Sequence, residues 1–477
     1  MVNPRRRNPS TSQFIGRHKQ HRNLALIRIA AVYVWFASLF IVTSIILYAT
    51  LSEHDANDDD NNDDHNAEVV GKREPHAKVA GPTPHTRMDG DVNLDDTYAG
   101  IRAAHDKRFP PDDAKRLRAF AQSLRTHDYQ LAEGTGPMPY DINSCPPTPP
   151  EGYPQSWSTL DILNNWNPND TADPHSHTVY QGICRFDAET ENDKANAYRE
   201  AEVPFVIRDD PVVLPTVERW NQPEYLPNIL GHERQYRTDM SSTNQLMFYR
   251  TGNNGVKKSI LQDWEEPTKE VLMSYPDWLD KANNPDAGEL EPNKPHWYFR
   301  LNAKSQVRDH YLFEELPFFK PKRNFYMVDP SDARGINCRF GMRGNTAENH
   351  FDASRNFIAL FGGERRYLLS HPSQCKNLAL YPMGHPSARH SEVDWSNPDL
   401  EQFPQFRQAK SHEVVLQAGD VLYLPTNYFH HIISLDTNFQ CNARSGVTQE
   451  SMGLIHDCGF AAVAPQPIRK TLLGKKR

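Results

Sequence analysis

From about Ala201 onward the chain is written as short apolar runs cut by Gly, Asn and Pro. Pro204-Phe205-Val206-Ile207, the stretch Asn356 to Leu369 and the stretch His412 to Pro425 are the plainest of them. Runs of this length between turn residues read as period-two strands and leave little room for long helices. A mainly β fold is expected, an antiparallel sandwich or barrel. No internal repeat is found.

Upstream, Leu117, Phe120, Ala121 and Leu124 recur at helical spacing, and order is expected to begin near Pro110-Pro111-Asp112. Pro137 to Pro154 is a proline-dense connector, part of a chain with 37 prolines. With 38% hydrophobic residues, 10% aromatic and 24% charged, the 477 residues exclude a polytopic membrane protein and a wholly disordered chain. The formal net charge of -8 argues against a general nucleic-acid binder, because no large basic surface is left to meet phosphates.

The run Ile29 to Leu51 carries no charged residue and is long enough to cross a ~30 Å hydrocarbon core. Arg5, Arg6, Arg7, Arg17, Lys19, Arg22 and Arg28 precede it, and an acidic stretch from Asp58 to Asp64 follows. The positive-inside rule then predicts a single-pass type II membrane protein, held by one N-terminal helix, with the remainder lumenal (ER or Golgi) or extracellular. Residues 52–110 read as an acidic, disordered stem, too poor in large apolar groups to offset their ordering entropy. The six cysteines contain no C-x-x-C pair, which disfavours a zinc ribbon. On the expected side of the membrane they can pair, with fifteen connectivities open. Asn169-Asp170-Thr171 is a glycosylation acceptor pattern.

His350-Phe351-Asp352 is an H-x-D step, and alone it says little, since His390-Ser391-Glu392 is a similar one. Its surroundings add the weight. An apolar strand follows, then Gly362-Gly363, then a second strand with Arg365. Further on, Ala418-Gly419-Asp420 reads as a tight turn into Val421 to Pro425, and His430 stands five residues past that proline. Positions two apart on a strand share a face, so His350 and Asp352 are expected to point into the barrel together, with His430 arriving from a neighbour. Two imidazoles and one carboxylate on one face of a metal leave other positions open, as non-haem Fe(II) oxygenases require.

The segment from about Ala201 to Gly446 resembles the JmjC/cupin-like family of Fe(II)- and 2-oxoglutarate-dependent oxygenases, most of all the hydroxylase branch typified by factor inhibiting HIF. Besides the H-x-D step, the likeness rests on Gly341-Met342-Arg343-Gly344-Asn345, on Val393-Asp394-Trp395-Ser396-Asn397-Pro398-Asp399, on Phe403-Pro404-Gln405-Phe406, and on Gly419 through His430-His431-Ile432. It implies a double-stranded β-helix (jelly-roll/cupin) core with flanking helices. It makes His350, Asp352 and His430 the iron ligands and catalytic residues, with His431 a neighbour. Arg365 becomes the cation for the distal carboxylate of 2-oxoglutarate, where relatives carry lysine; arginine offers a planar fork in its place. Tyr298, Asn356 and Asn442 match family residues near metal or cosubstrate. The family threonine falls on Ala347, with Thr346 one place off and retained as a cosubstrate contact. Arg339 lies where relatives keep apolar residues of the substrate pocket.

The organisation expected is a basic cytosolic tail (1–28), a transmembrane signal anchor (29–51), the stem (52–110), a helical, proline-rich pre-domain (111–200), the oxygenase domain (201–465) and a basic tail (466–477). The resemblance implies a dioxygenase that converts 2-oxoglutarate to succinate and CO2 while hydroxylating a side chain of a protein or peptide in the secretory pathway. Histone demethylation is disfavoured by the expected anchor. Two rivals stand beside it. One is a type II membrane glycosyltransferase using Asp58-Asp59-Asp60 or Asp89-Gly90-Asp91, and the other is a catalytically silent jelly-roll that binds a partner.

Overall fold

The turn-cut apolar runs fold as strands: β1 (Trp157–Ser158), β2 (Arg185–Asp187), β3 (Phe205–Arg208), β4 (Tyr236–Ser241), β5 (Gln245–Leu246), β6 (Lys269–Met273), β7 (His296–Ala303), β8 (Ala333–Gly341), β9 (Thr346–Phe351), β10 (Asn356–Gly362), β11 (Glu364–Ser370), β12 (Lys410–Gln417), β13 (Val421–Leu424), β14 (Phe429–Ser434) and β15 (Asn438–Ser445). The structure is a computed structural model describing residues 94–460, except 111, 126, 232, 252–255, 258–259, 262–263, 284–289, 305–309 and 457.

Two sheets form. The smaller runs β1-β12-β11-β14-β9-β5 and the larger β2-β3-β13-β10-β15-β8-β7-β4-β6. Consecutive strands leave one sheet for the other, β8 to β9 and β10 to β11 among them, as in a jelly-roll. The β10–β11 turn needs glycine: Gly363 has φ 68°, and a Cβ there would collide with the Thr437 carbonyl oxygen. Gly419, at φ 90°, makes the expected turn into β13.

Strand alternation sorts the side chains into three layers. Phe299, Phe340, Phe357, Phe361 and Cys441 leave the outer face of the large sheet and pack with Leu117, Ala121, Leu214 and Val217 of the helices Ala114–Leu124 and Leu214–Trp220. Leu368, Val415, Phe429 and Ile433 leave the outer face of the small sheet and meet Ile162, Leu163, Trp395 and Phe406. Between the sheets, Ile358, Leu360, Leu422 and Leu424 close on Tyr367, Leu369, Val414 and Leu416. Each such side chain contributes roughly 1.5–3 kcal/mol on burial.

Residues before 201 take part in both sheets, since β1 pairs with β12 and β2 with β3. The cysteines pair as Cys145–Cys184, Cys338–Cys441 and Cys375–Cys458. Cys338 and Cys441 are register partners on β8 and β15, on the outer face of the large sheet.

Two expectations are corrected. Leu94–Arg108, inside the expected stem, is helical. It is tied down through Tyr98, whose hydroxyl donates to buried Glu315 at 2.9 Å, and Arg102, which donates to the same carboxylate at 3.3 Å. The membrane placement does not stand either. Among the described residues no helix is long and apolar enough to cross a membrane. Residues 29–51, on which the anchor and the lumenal or extracellular placement rested, lie outside the described residues, as do both Asp-x-Asp steps. An uncharged run of sufficient length is necessary for a spanning helix but does not make one.

Candidate metal centre

β14 pairs antiparallel with β9 so that His430 stands opposite His350. The ring centroids are 4.2 Å apart. Asp352 follows just beyond the end of β9, its Oδ2 4.0 Å from His430 Nε2. One ligand atom from each of the three residues lies within 4.8 Å of the others. The H-x-D step and the distant histidine are thus on one inner wall, as strand parity required.

The surroundings prepare each group as a ligand. His350 Nδ1–H donates to the Glu348 carbonyl at 2.7 Å, and His430 Nδ1–H to the Tyr428 carbonyl at 3.0 Å. A carbonyl only accepts, so the proton sits on Nδ1 and the Nε2 lone pair is left for a metal. Burial lowers the pKa of both rings, and for His350 the neighbouring His430 and His390 add to it, so both are neutral at pH 7. Burial alone would raise the Asp352 pKa. Arg444 leads the neighbours that outweigh it and hold the carboxyl well below the usual range. Arg444 donates to Asp352 Oδ1 at 3.0 Å and Asn356 to Oδ2 at 3.2 Å, while Asn442 donates to Asn356 Oδ1 at 2.9 Å. The two asparagines therefore form a chain onto the carboxylate. This donor set suits a divalent first-row metal with open positions.

Arg365 stands four residues along β11 from Leu369, the partner of His430, roughly 13 Å by strand rise. It is fully buried and inward-facing. Its guanidinium donates to Tyr298 Oη at 2.9 Å, to the Arg339 carbonyl at 3.0 Å and to Asn438 Oδ1. None of these partners is a carboxylate, and a buried cation without one is costly. Tyr298 and Arg365 are thus brought together across the gap between the sheets. Arg339 is also inward, opposite Arg300 and Gln440, and burial lowers its pKa to about 9.

Thr346 is not brought to the site. A register irregularity between His430 and Ile432 places Ala347 opposite inward Ile432 and Thr346 opposite outward Ile433. The Thr346 hydroxyl instead donates to the Gly344 carbonyl at 3.3 Å and accepts from Asn244 at 3.4 Å. His431 faces outward and stacks on Trp395 with centroids 5.0 Å apart. Two residues escaped the sequence reading. Arg444, two positions past Asn442 and so on its face, was within reach of the period-two argument. His390, bridged to His350 and stacked on it at 5.0 Å, was not, because a single bridge leaves no sequence pattern.

A jelly-roll with this site is a cupin-type protein. The family model described as "Cupin-like domain" matches residues 191–443, more than half of the chain, and the chain belongs to that family. Among its relatives, the "Lysine-specific demethylase 8" of Xenopus tropicalis is 33% identical over 146 residues, 29% of this chain and 32% of its own. The "Lysine-specific demethylase JMJ30" of Arabidopsis thaliana is 23% identical over 233 residues, 49% of this chain and 47% of its own. The "tRNA wybutosine-synthesizing protein 5" of Gallus gallus is 40% identical over 86 residues, 18% of this chain and 25% of its own. In each case the match spans less than half of the relative's length.

Proposed function

We propose that the chain is an Fe(II)- and 2-oxoglutarate-dependent oxygenase that hydroxylates a side chain of a protein or peptide. The observation that carries this reading is the convergence of two neutral imidazoles, each with Nδ1 fixed on a carbonyl, and one ionised carboxylate. The ferrous ion and 2-oxoglutarate, when bound, supply the oxidising power, with succinate and CO2 as coproducts. His350, Asp352 and His430 would hold the metal. Arg444 and Asn356 keep Asp352 ionised and oriented, and Asn442 orients Asn356. Arg365 and Tyr298 would meet the distal carboxylate of the cosubstrate, which would also offset the buried guanidinium charge. The likeness to the factor-inhibiting-HIF branch, carried by the motifs around residues 341–345 and 393–406, favours side-chain hydroxylation.

Demethylation of an N-methyl group is the second reading, favoured by the names of the relatives. It begins with the same hydroxylation, and the anchor that argued against it no longer does. Mass spectrometry of products separates the two: a stable gain of one oxygen supports the first, loss of a methyl group with formaldehyde the second.

The deciding experiment is anaerobic titration of the full chain with Fe(II) or Mn(II), then 2-oxoglutarate turnover in air. Asp352→Ala should lose at least a hundredfold in metal affinity and all succinate formation. Unchanged turnover in that variant would end the reading. A folded chain that binds metal but no 2-oxoglutarate would point to the silent binding module.

A further inference from the structure

Across the inner face of the small sheet, register places His412, Leu369, His430, His350 and His390 side by side. The metal pair occupies the middle of this row. On its His412 flank, at the barrel end away from Arg365, lies an open cavity lined by Tyr153, Ser156, His371, Lys410, His412 and Tyr428 among others. Two of its lining residues carry a buried polar atom without a hydrogen-bond partner. His412 is 1% exposed and its Nε2 has no hydrogen-bond partner; Tyr428 is 3% exposed and neither does its hydroxyl. A buried polar atom without a partner costs about 1–3 kcal/mol, so two beside one cavity call for a ligand. Tyr428 is also the residue whose backbone carbonyl fixes His430, so the cavity borders the metal centre through one residue.

The lining defines what fits. Among the described residues no carboxylate lines it, and Lys410, exposed at the mouth with His371, is the one permanent charge there. Burial lowers the His412 pKa to about 3, so its ring is neutral and offers an N–H. Tyr428 and Ser156 offer hydroxyls. Three donors and the Lys410 ammonium around one space match an acceptor-only, negatively charged group better than a carboxamide, which brings donors of its own.

We infer that this cavity is a substrate subsite that seats the carboxylate of an acidic side chain flanking the residue presented to the metal. It deepens the oxygenase reading and rests on it for the ligand's being part of a peptide. The site is separate from the Arg365 end, which takes the cosubstrate. His412 and Tyr428 are specificity-determining residues here; neither touches the reacting atom.

The test uses the full chain, stripped of metal, with N-acetylglutamate α-amide as probe and N-acetylglutamine α-amide as its neutral twin, followed by saturation-transfer NMR. The acid should bind saturably and the amide about tenfold more weakly. Tyr428→Phe and Lys410→Gln should each weaken the acid about tenfold, while Arg365→Ala leaves it unchanged. Tyr428→Phe should also melt no lower than the parent, since it removes a buried hydroxyl that bonds to nothing. The inference is overturned if neither probe binds, if Tyr428→Phe binds the acid like the parent, if Arg365→Ala alone abolishes binding, or if Tyr428→Phe melts well below the parent. Mn(II) affinity, measured separately, keeps the two readings apart. Probe binding lost with Mn(II) binding intact ends the subsite alone, and absent Mn(II) binding in the parent ends the oxygenase reading alone.

Discussion

At the Arg365 end of the barrel, donors and acceptors are matched across the gap between the sheets: Arg365 with Tyr298, Asn438 and the Arg339 carbonyl, and Tyr367 with Gln440. At the His412 end, two buried polar groups face a cavity with no partner. The first end holds a buried guanidinium fixed by uncharged hydrogen-bond partners. The second is left unfinished. A site that binds one constant small molecule gains from a fixed donor set, whereas one that receives part of a larger substrate must keep its groups vacant until that substrate arrives. The two ends should therefore respond to mutation in different observables.

The largest separation is expected from Arg365→Ala. It should raise the KM for 2-oxoglutarate about a hundredfold, the loss of a charge-assisted pair, with Mn(II) affinity unchanged. Arg365→Lys should recover only part, because a point charge cannot reproduce the planar fork. Uncoupled succinate formation measured against cosubstrate concentration checks both. An unchanged KM in the alanine variant would erase the distinction between the ends.

Arg444→Leu probes the middle of the row. It removes a hydrogen bond and a charge from Asp352 without touching a ligand atom, and should weaken metal binding about tenfold. Asp352 should then take up a proton at higher pH than in the parent, moving the acid limb of the metal-binding profile upward. A lower affinity with an unmoved acid limb would make Arg444 a packing residue only.

Acid separates the ends by charge type. Burial holds His412 and His431 near a pKa of about 3 and His390 near about 4, whereas their unfolded value is about 6.5. Below pH 6.5 the unfolded chain binds protons that the folded chain refuses. Stability is then full above about 6.5 and falls as pH drops towards the folded values, at most on the order of 1.4 kcal/mol per pH unit for each histidine. Thermal melts between pH 7 and 4 should show this, and His412→Leu should flatten the slope. Arg365→Ala should leave the slope as it is, because an arginine does not titrate there. A slope unaltered by His412→Leu would mean that the cavity histidine is protonated in the fold.

Much of this was legible before the fold. The triad was legible because a strand's alternation is rigid: once His350 faces inward, Asp352 two positions on shares its face, and Asn356 then holds its carboxylate. Arg365 and Tyr298 were read from likeness, and their contact adds the reason. What was not legible was non-local. Tyr98 reaches Glu315 across 217 positions, so composition alone made its segment a stem. Cysteine spacing left fifteen pairings open, and only the β8–β15 register sets Cys338 opposite Cys441. His412 joined the row through two strand pairings, neither marked by a motif.

The case of Thr346 shows how a single irregularity defeats a period. Counting back from His350 by twos turns Glu348 and Thr346 inward. The bulge opposite His431 resets the count, so that Ala347 meets Ile432 inside and Thr346 meets Ile433 outside. The inward place then holds a methyl group and no hydroxyl. Ala347→Thr should supply one towards the Arg365 end and lower the KM for 2-oxoglutarate by a few-fold, the net worth of one hydrogen bond to a ligand. Thr346→Val should leave that KM unchanged and cost stability instead, through its bonds to Gly344 and Asn244. Because both substitutions are small and adjacent, the pair reads the facing of the strand directly. A KM effect at 346 with none at 347 would mean that β9 runs without the bulge, and the Arg365 end would then own a hydroxyl that the register denies it.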